Sequence, residues 1–163
     1  RSADVRKSRM NYSRFDQANV AFILQRYPYE MKAIYRTGST VTRPAEAYDV
    51  DYFAIADTQT HAPYHYITQR QHLQTRKWID IITLTTADLA HPRDMQHSRR
   101  NKAAWLAREV RRPRILLYGS DCFLSLLNAG ELEAVCAEHS VTADTLESVK
   151  QQNTRAQRCI AWG

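Results

Sequence analysis

No apolar run in the 163 residues approaches the ~20 needed to cross a bilayer, so a membrane span is not expected. The opening RSADVRKSRMNYS is basic and lacks the apolar segment of a secretory signal. It also lacks an initial Met, as a trimmed chain would. Cysteine is scarce. Cys122, Cys136 and Cys159 are odd in number and widely spaced, with no CxxC and no His at zinc-finger spacing. That excludes a disulfide framework and reads as reduced, mostly core thiols of a cytoplasmic protein. No internal repeat or low-complexity tract is present. What remains is ordinary for a globular chain, with 44% apolar and 25% charged residues, and the length favours one domain with a respectable core.

The net charge of +6 is concentrated. Between Arg93 and Arg114 lie eight basic residues (Arg93, Arg99, Arg100, Lys102, Arg108, Arg111, Arg112, Arg114) against Asp94 and Glu109, which is the whole excess. From Asp121 onward six acidic residues face three basic ones. A focused basic segment suits a polyanion, either nucleic acid or a triphosphate; the plainer alternative is a solvated helix face.

Ser13 and Asp16 resemble a capping box, and Ala18, Phe22 and Leu24 fall near one face of a helix that Pro28 ends. MKAIYRT (Met31 to Thr37) predicts a strand stopped by Gly38. Thr40 to Tyr48 predicts a turn with one helical turn at most. YDVDYFAIA and KWIDIITLT predict two further strands, rich in β-branched and aromatic residues. Thr58 to Gln74 carries Pro63, His61, His65 and His72 and gives no assignment. Ser98 to Arg111 predicts a helix in which Trp105 is an apolar anchor, and RILLYG after Pro113 predicts a short buried strand. Beyond Asp121, helical spacing implies two or three helices. The expected fold is α/β or α+β: a small mixed sheet flanked by helices, residues 13–120, with a helical C-terminal extension, 121–163, packed on the same domain.

Two strands contain carboxylates that a structural role does not explain. Side chains alternate along a strand, so Asp49 and Asp51 point the same way, ~7 Å apart at Cβ. At an effective dielectric of ~20 two charges at that distance repel by ~2–3 kcal/mol. Apolar neighbours add a desolvation cost, because a buried carboxylate must be paired or must bind a cation. Asp80, between Trp78-Ile79 and Ile81-Ile82, repeats the anomaly. A divalent cation would satisfy all three, and an oxygen-only donor set suits Mg²⁺ or Mn²⁺. Upstream, Gly38 lets backbone N–H groups approach a phosphate and Ser39 offers a hydroxyl, with Arg36 and Arg43 close in sequence. Gly119-Ser120, with no Asp-x-Asp after it, reads as a turn.

Gly38-Ser39, then Asp49-Val50-Asp51 opening a strand, then Asp80 within another, resembles the polymerase-beta-like nucleotidyltransferases of minimal single-domain type. The resemblance covers about residues 31 to 85. The chain departs from that pattern at Thr42-Arg43, where many members have a second Gly, and at Tyr48, where a Ser or Thr is common. The resemblance implies a metal-dependent enzyme that moves a nucleoside monophosphate from a nucleoside triphosphate such as ATP to a hydroxyl. Asp49, Asp51 and Asp80 would be the catalytic, metal-holding carboxylates. Gly38, Ser39, Arg36 and Arg43 would bind the nucleotide. The family's acceptors are RNA 3′ ends, small-molecule antibiotics and protein hydroxyls. The segment holding Arg99, Arg100, Lys102, Arg108, Arg111 and Arg112 tilts the expectation towards RNA, including tRNA. A rival reading is a catalytically weak nucleotidyltransferase fold acting as a binding or antitoxin-like module through protein or RNA contacts. His61, His65, His72, Tyr64 and Tyr66 read as surface or substrate-contacting residues, and no metal site is assigned to them.

Overall fold

The three apolar stretches richest in β-branched and aromatic residues form the centre of one sheet. The structure is a computed structural model and describes residues 12–45, 47, 49–61, 66–71, 77–95 and 99–141; for 66–71 and 99–102 the backbone alone is described. The elements, in chain order, are helix α1 (Tyr12–Arg26), strand β1 (Met31–Thr37), the single turn α2 (Ser39–Thr42), β2 (Asp49–Ala56), β3 (Tyr66–Gln71), β4 (Trp78–Thr85), α3 (Thr86–Ala90), a 3₁₀ turn (Pro92–Asp94), α4 (Arg99–Arg111), β5 (Arg114–Gly119), α5 (Phe123–Leu126) and α6 (Ala129–Glu138). The sheet order is β3-β4-β2-β1-β5. β2 and β4 run parallel, and the other three pairings are antiparallel. A mixed sheet flanked by helices, with a helical C-terminal segment, is the fold class expected.

Strand alternation divides the interior into two layers. On one side Ala33, Tyr35, Phe53, Ile55 and Leu84 meet α4, α5 and α6. On the other, Ile34, Val50, Tyr52, Ala54, Ile79 and Ile81 meet Phe15 and Ile23 of α1. Phe53 is central to the first layer. It stacks on Tyr35 with centroids 5.9 Å apart and meets Phe123 and Trp105 edge-on at 4.9 and 5.6 Å. Such pairs each contribute about 0.5–1.5 kcal/mol beyond area burial, and Trp105 is the anchor expected. Tyr35 also fastens α5 to β1. Its hydroxyl donates to Asp121 Oδ1 (2.8 Å) and accepts from the N–H groups of Cys122 and Phe123 (3.1 and 3.2 Å). Leu132, Val135 and Cys136 of α6 lie in that same core, so the described C-terminal helices are continuous with the sheet domain. Residues 142–163, including Cys159, lie outside the described residues.

Three readings change. α1 has nearly the expected limits, but its buried residues are Phe15, Asp16, Asn19 and Ile23, whereas Ala18 and Leu24 face out. The inward face is partly polar because Asp16 is held inside by Arg36 and Tyr52, not in a cap. The segment left unassigned contains β3, whose sequence YITQRQ alternates with few apolar residues. RILLYG is a sheet edge, not a buried strand: Arg114 is fully buried at its start while Tyr118 is 39% exposed near its end. Gly119 takes φ +78°, and a Cβ there would run into the Lys32 carbonyl, which fits the expected turn.

Candidate functional site

Register does what spacing alone could only suggest. β2 and β4 pair in parallel with Asp51 opposite Asp80 and Asp49 opposite Trp78. Residues opposite one another on neighbouring strands share a face, so Asp49, Asp51 and Asp80 all lie on the side covered by α4. Asp51 and Asp80 sit one strand spacing apart, about 4.8 Å. At an effective dielectric of ~20, two charges at that separation repel by roughly 3–4 kcal/mol. Both residues are half-buried, while Asp49 is exposed at the strand mouth.

The next strand supplies the glycine. Thr37 lies opposite Asp51, and Gly38 follows with φ 81° and ψ −146°, a conformation that residues with a Cβ rarely adopt. Its N–H donates to the Pro113 carbonyl at 3.1 Å. A Cβ on Gly38 would overlap Arg112 Nη2 and lie 2.9 Å from Asp51 Oδ2. Glycine is therefore needed here for close approach as much as for dihedral freedom.

What fills that space is a guanidinium. Arg112 Nη2 donates to Asp51 Oδ2 at 2.7 Å, and Nη1 reaches Glu109 Oε2 at 3.5 Å. The Arg112 and Asp51 side chains are 25% and 21% exposed, so water screens this pair only in part. Burial opposes the charge on Arg112, but Glu109 and Asp51 outweigh it and hold the guanidinium above its ordinary pKa. Glu109 is almost wholly buried. Burial raises its carboxyl pKa, against the pull of Arg112 and Arg114; the nearby Asp51 charge adds to the rise, and a hydrogen bond with Thr37 opposes it. Arg114, fully buried, donates through Nη1 to the carbonyls of Glu109 (3.1 Å) and Arg112 (3.4 Å), with its guanidinium 4.8 Å from the Phe123 ring centroid. The link from α4 to β5 is thereby pinned beside the carboxylates.

Arg36 is not part of this cluster. It pairs with Tyr52 in the β1–β2 register and so belongs to the opposite face of the sheet. There Nε donates to Asp16 Oδ2 (3.1 Å), Nη1 donates to the Thr40 carbonyl (2.9 Å), and the guanidinium lies 4.4 Å from the Tyr12 ring centroid. Tyr52 donates its hydroxyl to Asp16 Oδ1 at 2.7 Å. Burial raises the Asp16 carboxyl pKa, with the Tyr52 hydrogen bond and Arg36 opposing. Arg36 thus holds the Gly-Ser turn from beneath through Thr40, and its buried pairing leaves it on the wrong side of the sheet to face the carboxylates. Ser39 and Arg43 are exposed on that turn, Ser39 as the first residue of α2.

The basic segment divides in the same way. Arg112 and Arg114 point inward, and Arg93 donates to Glu138 Oε1 at 2.6 Å. Arg108 is exposed and Arg111 half-buried. Arg112 accordingly faces Asp51 and Glu109, with a quarter of its side chain left exposed. The side chains of Arg99, Arg100 and Lys102 lie outside the described residues, as do His65, His72, Tyr64 and the Tyr66 side chain. His61 Nδ1 lies 2.8 Å from Asp88 Oδ1, and Asp88 also closes the capping box of α3 with Thr85, so this His serves the fold. Sequence reasoning missed Glu109 and the inward role of Arg112. The signal available was a lone acid in a basic helix, three residues before an arginine. It also passed over Trp78, 49% exposed beside Asp49.

Among the described residues no group of three or more His, Cys, Asp or Glu is poised around a common point for a metal. The donor set still fits a hard cation. Asp51 and Asp80 are adjacent oxygen donors, and Asp51 already holds a cationic group in a space that a Cβ at Gly38 would fill. No protein-family model matches the chain, and no curated protein does so either.

Proposed function

We propose that the protein is a metal-dependent nucleotidyltransferase, moving a nucleoside monophosphate from a nucleoside triphosphate to a hydroxyl acceptor, with the α–β phosphoanhydride bond broken, pyrophosphate released and the hydroxyl proton given up. One observation carries this reading: Asp51 and Asp80 stand side by side on parallel strands, with Gly38 packed against Asp51. Two half-buried carboxylates at one strand spacing are costly as scaffolding and useful as cation ligands. Asp51 and Asp80 would hold Mg²⁺ or Mn²⁺, with Asp49 available from the open end of the same face. Bound there, the cation would neutralise phosphate charge and lower the pKa of the acceptor hydroxyl.

The chain's own residues would do the rest. Gly38 gives its N–H to Pro113 and its open side to Arg112, so phosphate oxygens would meet this turn at the exposed Ser39 hydroxyl next to it. Arg36 stiffens that turn from the far face through the Thr40 carbonyl. Arg43, exposed at the end of α2, is available to the triphosphate. Asp80 is the residue to accept the acceptor's proton. RNA, including tRNA, is the acceptor class the basic segment favours, with Arg108 exposed and Arg111 half-buried among its described residues.

A second reading has an observation of its own. The Asp51–Arg112 pair satisfies Asp51 without metal, as suits a nucleotidyltransferase fold retained as a binding or antitoxin-like module. One experiment separates the two. The protein is incubated with each α-labelled nucleoside triphosphate, Mg²⁺ or Mn²⁺, and total RNA or lysate, beside Asp51→Asn and Asp80→Asn. Label transfer abolished by both substitutions supports the enzyme. Transfer that survives both removes the proposed site, and no transfer with any donor favours the binding module. RNA affinity that does not fall between low and high salt would exclude RNA as the acceptor.

A further inference from the structure

The transferase reading leaves open what pairs with Asp51 when no cation is bound. The described structure contains an answer in Arg112. We propose that Arg112 is a resident counter-cation on Asp51 that a divalent metal must displace, so that metal binding and release of the Arg112 guanidinium are one event. The proposal rests on the metal-dependent reading and deepens it by naming a positioning residue that acts through Asp51.

Three features support displacement over simple coexistence. First, the space is already taken. Nη2 lies 2.7 Å from Asp51 Oδ2 and fills the gap left by the missing side chain of Gly38, so a cation approaching that oxygen meets the guanidinium. Second, the movement needed is local. Arg114 ties the carbonyls of Glu109 and Arg112 together, and the Gly38 N–H is bonded to Pro113, so the backbone on both sides of Arg112 is fixed and its side chain alone has to swing. Third, the displaced group keeps a partner. Glu109 Oε2, 3.5 Å from Nη1, remains to receive the guanidinium, which lowers the cost of leaving Asp51. Asp51 therefore shares its arginine with a second carboxylate on α4, whereas a divalent ion would share Asp51 with Asp80 on β4.

The test has two arms, neither of which uses turnover. In the first, Mn²⁺ binding to the full chain is followed by loss of the free-ion electron paramagnetic resonance signal. Arg112→Gln is expected to bind Mn²⁺ roughly 10-fold more tightly, equivalent to about 1.4 kcal/mol, and Asp51→Asn to lose binding. In the second, the wild-type chain is treated with phenylglyoxal, an arginine-selective reagent, and modified peptides are mapped by mass spectrometry with and without Mg²⁺. Mg²⁺ is expected to raise the modification rate of Arg112 several-fold and to leave buried Arg114 unchanged. Should Arg112→Gln not fold, the labelling arm decides alone. Mn²⁺ binding that depends on Asp51 but is unaltered in Arg112→Gln, or Arg112 reactivity that Mg²⁺ does not raise, overturns the displacement and leaves the transferase reading standing. Absence of Mn²⁺ binding in both chains overturns the two together.

Discussion

Gly38→Ala is the substitution that most directly probes how the candidate site is built. The backbone at Gly38 (φ 81°, ψ −146°) lies close to a region used almost only by glycine, where a side chain costs about 1–3 kcal/mol. The new methyl would also overlap Arg112 Nη2 and crowd Asp51 Oδ2 at 2.9 Å. The guanidinium is the far end of a flexible side chain and can retreat, so the steric part is modest and the dihedral part dominates. A total loss of about 2–3 kcal/mol is expected, or a fall in melting temperature of roughly 5–10 °C for a chain of this size. Urea denaturation followed by circular dichroism reads it as a lower midpoint at unchanged slope. Gly119→Ala is the comparison. Its Cβ would strike the Lys32 backbone, which cannot step aside, so it should cost more than Gly38→Ala while leaving the Asp51–Arg112 pair intact. Adding Arg112→Ala to Gly38→Ala removes the clash partner, so the two effects should fall short of additivity by about 0.5–1 kcal/mol. A Gly38→Ala protein within about 0.5 kcal/mol of wild type, or strict additivity in the pair, would refute the packing described for this corner.

Other outcomes follow from single contacts. Tyr52→Phe removes the donor to Asp16 Oδ1 and should cost about 1–3 kcal/mol by urea denaturation, since a buried acceptor loses its partner. Phe53→Ala, at the centre of the aromatic layer, should cost about 3–5 kcal/mol, whereas Trp78→Ala, at an exposed position, should stay within about 0.5 kcal/mol. The pH dependence has a definite sign. Burial holds the Glu109 carboxyl above its ordinary 4.5, and Asp16 is likewise raised, so the native state binds more protons than the unfolded chain in that window. Their contribution to stability is therefore present below the ordinary carboxyl range and is lost as pH rises through the raised values. Glu109→Gln should flatten that decline in a series of denaturation curves; a decline left as steep as in wild type would contradict it.

The limits of β1, β2, β4 and α4 were legible because long apolar or charged runs end at Gly38, Ala56, Thr85 and Pro113, where composition changes abruptly. Pairing was not legible. Whether Arg36 shares a face with Asp51 depends on one residue of register, and it falls opposite Tyr52, one step from Thr37. β3 escaped because YITQRQ gains its strand character from the neighbouring β4, through tertiary pairing that overrides a weak local preference. The pattern of α1 points its apolar residues inward, yet Asp16 and Asn19 are buried and Leu24 is not, since a partner 20 residues away makes a polar face burial-compatible. At the candidate site the carboxylates could be picked out by type and spacing. Arg112 could not, because a run of arginines looks uniform until the fold turns some of them inward.

The strand order bears on how this site comes into being. β4 follows β3 in the chain but lies between β3 and β2 in the sheet. While the chain is being synthesised, β2 therefore keeps an unpaired edge until residues 78–85 have emerged and slid into place. Asp51 has no carboxylate beside it on an adjoining strand during that interval. The juxtaposition with Asp80 arises with the closing of the sheet, and α4 with Arg112 emerges only afterwards. The corner that joins Asp51, Asp80 and Arg112 is thus complete only once α4 has emerged, and a chain cut short before Trp78 would contain Asp49 and Asp51 without Asp80 beside them.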